Sequence, residues 1–325
     1  METHRARAAG AADRGACQRM SAEDDGLQRE RPRLFALAYR MLGSVGEAED
    51  AVQEAYLRWY SQKREDVRSP PAFLTTVVTR FCLDELKSAR RQREQYPGVW
   101  LPEPLADETL VDASAPPVTS GDPQRDIERL ESVSLAFLSL LQTLGPLERA
   151  VFVLAEVFDY PHAEVARIVR RSPEACRKAL SRAKQNLAVR KASSGSTDRH
   201  RELLLSFIAA VRRGHLGELA QLLADDVESR ADGGGHVNAA TKPVVGARAV
   251  SRLYAGLSPQ VPADLSVRME TINGWPAALL IVGDTLLSVI QVRVSADRIQ
   301  RIDNVLNPRK LARVATARGL KTLAH

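Results

Sequence analysis

Nothing in the 325 residues approaches the ~20 consecutive apolar residues of a membrane-crossing helix; runs such as Ala277 to Val282 are far shorter. The N-terminus carries charges where a secretory leader has an apolar core, so no membrane association is expected and the cytoplasm is the expected location. Cysteine is equally scarce. Cys17, Cys82 and Cys176 stand far apart without paired spacing, which argues against a disulfide framework or a zinc site, and no metal or cofactor is expected. Nor does one sign of charge dominate. A net charge of +6 with a pI near 9.4 suits a polyanionic partner, but a modest excess in a long chain is common, so its distribution matters more.

Apolar content of 44% in a chain of this length is enough for two or three separate cores. Residues 1–30 lack apolar periodicity and read as a disordered tail. From there Leu34, Leu37, Ala38 and Met41 recur at helical spacing until Gly43. A second helix, Gly46 to Tyr60, gathers Ala48, Ala51, Val52, Ala55, Tyr56 and Trp59 on one face and leaves an acidic outer face. Ser69-Pro70-Pro71 opens a third, with Phe73, Val77, Val78, Phe81 and Leu86 inward and a basic end at Lys87, Arg90, Arg91 and Arg93.

Six prolines between Tyr96 and Pro123 mark an extended linker. A helical unit then spans Ile127 to Val189, broken at Gly145-Pro146 and Tyr160-Pro161, and Ser193-Ser194-Gly195-Ser196 closes it. After two more amphipathic helices around Leu203 and Leu219, strand patterns take over at Val227–Ser229, Val244–Val245, Leu265–Met269, Ala278–Val282, Thr285–Val294 and Arg298–Val305. The expected architecture is multidomain, with two all-α units followed by an α+β one. Its boundaries are a tail at 1–30, helical domains at 31–95 and 127–192 joined by a linker at 96–126, and a last domain at 193–325.

Within the second helical unit, His162 to Val169 forms a short helix and Arg170-Arg171-Ser172 a turn. Ser172 serves as N-cap, with Pro173 at the first helical position and Glu174 in the first turn of the next helix. Ala175, Ala179, Ala183 and Leu187 form its inward stripe. Arg177, Lys178, Ser181, Arg182 and Lys184 face outward, and Arg171 and Ser172 stand in the turn before them. A basic face alone is more often just solvated surface. Cap, turn length and basicity together favour a helix-turn-helix whose second helix enters the DNA major groove.

The runs Ala38-Tyr39-Arg40-Met41-Leu42-Gly43, Ala48-Glu49-Asp50-Ala51-Val52-Gln53-Glu54-Ala55 and Leu147-Glu148-Arg149-Ala150-Val151-Phe152, ahead of that motif, resemble the extracytoplasmic-function sigma factors over about Arg31 to Ala192. The resemblance implies that the first helical unit binds core RNA polymerase and opens the minus-ten promoter element, while the second reads the minus-thirty-five element. By matching position Asp50, Gln53 and Glu54 face polymerase, and Lys87, Arg90 and Arg91 lie near the melted strand. Trp100-Leu101-Pro102-Glu103-Pro104, Asp232-Gly233-Gly234-Gly235 and Asn307-Pro308-Arg309-Lys310-Leu311 are similar to the signatures of the subgroup with a SnoaL-like C-terminal domain, a cone-shaped α+β fold. That resemblance implies a domain that regulates the sigma portion in cis, with Trp100 to Pro104, Asp232, Gly233, Gly234, Asn307 and Pro308 between the domains. The family motif has an acid where this chain has Arg309, which bears on any salt bridge there.

Some SnoaL-like relatives are cyclases or isomerases. Asp232, His236, Asp284 and Asp303 are the candidates for proton transfer, but no compact acid–base pair is visible, so no catalytic residue is assigned. An unidentified small-molecule ligand of the last domain stays open as the alternative.

Overall fold

The computed structural model describes residues 28–62, 67, 69–94, 96–106, 134–188 and 196–323. The expected tail, most of the proline-rich segment and the helix start near Asp126 lie outside these residues.

Helix α1 covers 28–42, beginning earlier than its apolar spacing indicates. It stops at Gly43, whose φ of +75° ends the helix at little steric cost. Ser44 then caps α2 (Val45–Ser61) by accepting from Glu47 N, and α3 occupies Pro70–Glu94. The inward face of α2 is as its spacing predicts except at Tyr56, which is half-buried.

In the second helical unit α4 (Leu135–Leu141) leads to α5 (Pro146–Phe152), which widens into a π-turn over Val153–Val157. Helices α6 (His162–Val169) and α7 (Pro173–Ala188) follow. One apolar core runs through both helical units, joining Leu37, Met41, Val78 and Cys82 with Leu154, Val165, Ile168 and Ala179.

The third unit opens with α8 (Thr197–Arg213) and α9 (Leu216–Leu222), followed by β1 (Leu223–Asp232), β2 (Val244–Val245) and α10 (Ala247–Leu257). Strands β3 (Leu265–Ile272), β4 (Trp275–Val282), β5 (Thr285–Ser295) and β6 (Arg298–Val305) complete the main sheet, and α11 (Pro308–Ala317) and β7 (Lys321–Thr322) come last among the described residues. The sheet order is β2-β1-β6-β5-β4-β3, with β7 beside β5. One face packs on α8, α9 and α10 through Phe207, Leu219, Val250 and Ile290. The other carries Leu279, Val289 and Val305, covered by Leu311 and Val314 of α11, by Leu101 of the linker and by Leu135 of α4. The strand patterns of this unit do not announce α10 and α11, each of which is short and bounded by loops.

Strands β1 and β6 run parallel, so their C-terminal ends, Asp232 and Val305, lie side by side. That pairing places the Asp-Gly-Gly-Gly loop against the Asn-Pro-Arg-Lys-Leu segment, although the two are far apart along the chain.

Candidate functional site: a helix-turn-helix and a three-way junction

Helix α6 ends at Arg170 in a left-handed conformation, φ 51°, and the turn delivers Ser172, whose Oγ accepts from Ala175 N at 3.2 Å to start α7. The inward stripe of α7 is Cys176, Ala179, Leu180 and Ala183, with Ala175 and Leu187 half-buried. The spacing of alanines alone thus places the stripe slightly off axis, since Cys176 and Leu180 carry more of the contact. Arg171, Ser172, Arg177, Lys178, Ser181, Arg182 and Lys184 are all exposed. Three of these cations are held by carboxylates: Lys178 by Glu174 at 2.7 Å, Arg182 by Glu148 at 3.0 Å and Lys184 by Glu156 at 2.8 Å. Arg177 makes no ion pair among the described residues.

In the first unit Asp50 and Gln53 are exposed on α2, while Glu54 pairs with Arg58 at 2.6 Å. Lys87 is exposed and pairs with Asp84 at 2.7 Å; Arg90 and Arg91 belong to α3, and their side chains lie outside the described structure. Two arginines tie this unit to the next. Arg80 of α3 donates to Ile168 O at 3.1 Å, at the carbonyl end of α6, where a cation is favoured. Arg149 of α5, 3% exposed, donates to Met41 O at 2.7 Å and Gln142 Oε1 at 2.9 Å.

Linker residues 96–106 contain neither helix nor strand, yet Leu101, Pro102, Glu103 and Pro104 are buried. The stiffness of two prolines limits the entropy lost in holding them. Asp232, with no exposed surface, gathers three donors: Tyr96 Oη at 2.6 Å, Leu101 N at 2.8 Å and Lys310 Nζ at 2.7 Å. Lys310 stands 4.0 Å from the Trp100 ring centre and 5.1 Å from that of Tyr96, so its charge is held by a carboxylate and two π faces. Asn307 Nδ2 donates to Tyr96 Oη at 2.9 Å. Burial, together with the hydrogen bond from Tyr96 to Asp232, pushes the phenol's pKa above its ordinary value.

Glu103 joins the linker to the first helical unit. Its Oε2 accepts from Val45 N at 2.8 Å, beside the Ser44 cap, and its own N–H donates to Gly43 O at 2.8 Å. A carboxylate at the positive end of a 17-residue helix is well placed, although burial raises its pKa above the usual carboxylate value. Its carbonyl accepts from Tyr39 Oη at 2.5 Å, and Asn273 Nδ2 donates to that same hydroxyl at 2.7 Å. Asn273 also exchanges two hydrogen bonds with Leu105, through Oδ1 at 2.9 Å and its own N–H at 2.8 Å. Further out, Arg313 of α11 forks onto Glu49 of α2. The Trp100 ring lies where a side chain at Gly43 would be, 2.8 Å from an ideal Cβ.

Of the anticipated interdomain residues, Trp100, Leu101, Glu103, Asp232, Gly234 and Asn307 are brought together at one junction. Gly233 and Gly234 are required sterically: a Cβ at Gly233 would meet Val237 O at 2.1 Å, and one at Gly234, φ +60°, would meet Asn307 Nδ2 at 2.1 Å. Gly234→Ala is expected to cost about 1–3 kcal/mol in chemical denaturation. An unchanged unfolding midpoint would contradict this packing. Pro308 is buried at the start of α11, and Arg309 is exposed at the rim, so the ion pair to Asp232 falls to Lys310.

Lys310 stands in the Asn-Pro-Arg-Lys-Leu run without a role assigned to it, and Tyr96, Asn273 and Arg313 are contacts that sequence reasoning did not single out. Only Asn273 carried a readable signal, since Asn-Gly between two strands marks a tight hairpin with positive φ, here 53° and 72°. The four proton-transfer candidates are not brought together: Asp232 is in the junction, His236 is exposed at its edge, Asp284 pairs with Lys321 at 2.7 Å and Asp303 lies 3.5 Å from Arg301. Among the described residues no His, Cys, Asp and Glu group could hold a metal, and no helix is long and apolar enough to cross a membrane.

A helix-turn-helix unit sharing a core with a second helical unit, both docked on an α+β unit, defines a sigma-type transcription factor with a C-terminal extension. Residues 27–92 match the model of Sigma-70 region 2, and residues 134–187 that of Sigma-70, region 4. The chain belongs to the extracytoplasmic-function RNA polymerase sigma factors. It is 39% identical over 229 residues to the ECF RNA polymerase sigma factor SigJ of Mycobacterium tuberculosis, covering 70% of each chain. It is 33% identical over 279 residues to the probable ECF RNA polymerase sigma factor SigI of the same species, covering 86% of this chain and 91% of that one. The crystal structure of M. tuberculosis SigJ superposes with a TM-score of 0.66 at 30% identity, over 90% of this chain and 98% of the other.

Proposed function

We propose that the chain directs promoter-specific initiation by core RNA polymerase and that its SnoaL-like domain restrains it in cis by holding the two sigma domains closed. The observation that carries this is the common core of the two helical units, docked through Glu103, Asp232 and Asn273 on the third. The minus-ten and minus-thirty-five elements lie about 25 base pairs apart, roughly 85 Å of duplex at ~3.4 Å per pair. Helices packed in one core are only ~10 Å apart. The closed arrangement cannot read both elements at once, so opening precedes promoter engagement.

In the open form Asp50, Gln53 and Glu54 meet polymerase, and Lys87, Arg90 and Arg91 meet the melted strand. Arg171, Ser172, Arg177, Lys178, Ser181, Arg182 and Lys184 meet the minus-thirty-five duplex, where phosphates replace the carboxylates on three of the cations. Domain limits of 31–95, 127–192 and 193–325, with the linker between, fit this division. Transcription of candidate promoters by core polymerase is the test: no initiation above core alone, with the full chain or with a junction variant, would remove the reading.

Arg177→Ala is expected to weaken promoter binding by about 1–3 kcal/mol. Arg182→Ala should act in the same direction and less strongly, because the free protein already pairs Arg182 with Glu148. Band-shift titrations at fixed salt check both. Parental affinity in the two variants would mean that another face of α7 meets DNA.

A further inference from the structure

We infer that the junction contains a binding site for a small aromatic anion, a ring bearing a carboxylate or phosphate, and that its occupancy favours the closed arrangement. The inference rests on the cis-regulatory reading above and supplies it with an effector class.

A cavity of about 450 Å³ opens between the first helical unit, the linker and the SnoaL-like domain. That volume is within the ~300–1,000 Å³ range of small-molecule sites. Each of the three parts contributes wall: Glu47 from the first turn of α2, Tyr96 and Trp100 from the linker, and His236, Arg309 and Lys310 from the last domain. The tyrosine and tryptophan rings, with the neighbouring Pro97 ring, offer flat apolar surface for a planar group.

Charge decides the ligand's sign. Lys310 is committed to Asp232 at 2.7 Å, and Glu103 to the α2 N-terminus at 2.8 Å. Arg309 is different: its side chain is exposed at the rim and makes no ion pair among the described residues, while its backbone N–H is used by Asn307 Oδ1 at 3.0 Å. It leaves a planar guanidinium fork available for bidentate capture of a carboxylate or phosphate. His236 stands on the same domain's wall. Because this chain has arginine where the resembled motif has an acid, the preference for an anion is a property of this sequence.

A ligand touching all three walls binds the docked form better than an opened one, which shifts the population toward closure. Isothermal titration of the full chain with 4-hydroxybenzoate and with phenyl phosphate, using benzamide as the uncharged control, tests the site. Saturable one-to-one binding of at least one anion is expected, at least tenfold weaker in Arg309→Asp and largely retained in Arg309→Lys. Binding of neither anion, equal binding of benzamide, or parental affinity in Arg309→Asp would each overturn the inference. The two readings separate cleanly. If transcription responds to junction variants but no anion binds, only the site falls; if an anion binds but transcription ignores those variants, the cis-regulatory reading falls.

Discussion

Asp232→Ala is expected to lower stability by about 3–5 kcal/mol and to raise promoter-dependent transcription. The carboxylate has no exposed surface, and the Lys310 side chain is 13% exposed. Removing Asp232 takes from that ammonium the carboxylate bonded to it and leaves the two aromatic faces and the Leu101 carbonyl in place. It also takes away the acceptor of the Tyr96 O–H and of the Leu101 N–H, while the Tyr96 oxygen keeps the bond from Asn307. The double variant Asp232→Ala/Lys310→Met removes both members of the pair and should recover much of the loss, since an apolar replacement of a whole buried pair is often tolerated. Urea unfolding of the full chain measures both. A single variant within about 0.5 kcal/mol of the parent would show that the pair does not hold the junction, surface-like behaviour being worth no more than that.

Arg149→Met should open the sigma portion without touching the SnoaL-like domain. The guanidinium spans the two helical units, bonding Met41 O in one and Gln142 in the other. Charged hydrogen bonds of this kind contribute about 1.5–3 kcal/mol each, so a loss of about 2–4 kcal/mol is expected where the units meet. Methionine keeps the side chain's length and apolar stem, which limits the cavity. Small-angle scattering is the measurement. A compact chain of this length has a radius of gyration of ~20 Å, and the variant should exceed the parent by several ångströms. Identical scattering, with unfolding also unchanged, would show that the shared core closes the two units unaided.

Much of the architecture was legible in the residues because it is local. Gly43, Ser69-Pro70-Pro71 and Ser172-Pro173 are stop and start signals that act through φ, a missing donor and a side-chain cap, and the helices begin and end there. The strand segments were legible as short alternating runs, though β1 extends back to Leu223 and β4 back to Trp275. The motif residues Trp100, Glu103, Asp232 and Asn307 were picked out by resemblance, but their partners were not. No local rule connects Asn273 with Tyr39, 234 residues away.

By itself the sequence determined the helix-turn-helix, the order of two helical units and an α+β unit, and the family, since these depend on periodicity, caps and motifs within short windows. Only the tertiary structure decided that the two sigma units share one core, that Glu103 caps α2 from the linker, and that Asp232 pairs with Lys310 while Arg309 stays at the rim of a cavity. The physical reason is that burial, ion pairing and enclosed space are properties of surfaces brought together. The parallel pairing of β1 with β6 aligns Asp232 with Val305, and no window along the chain contains both.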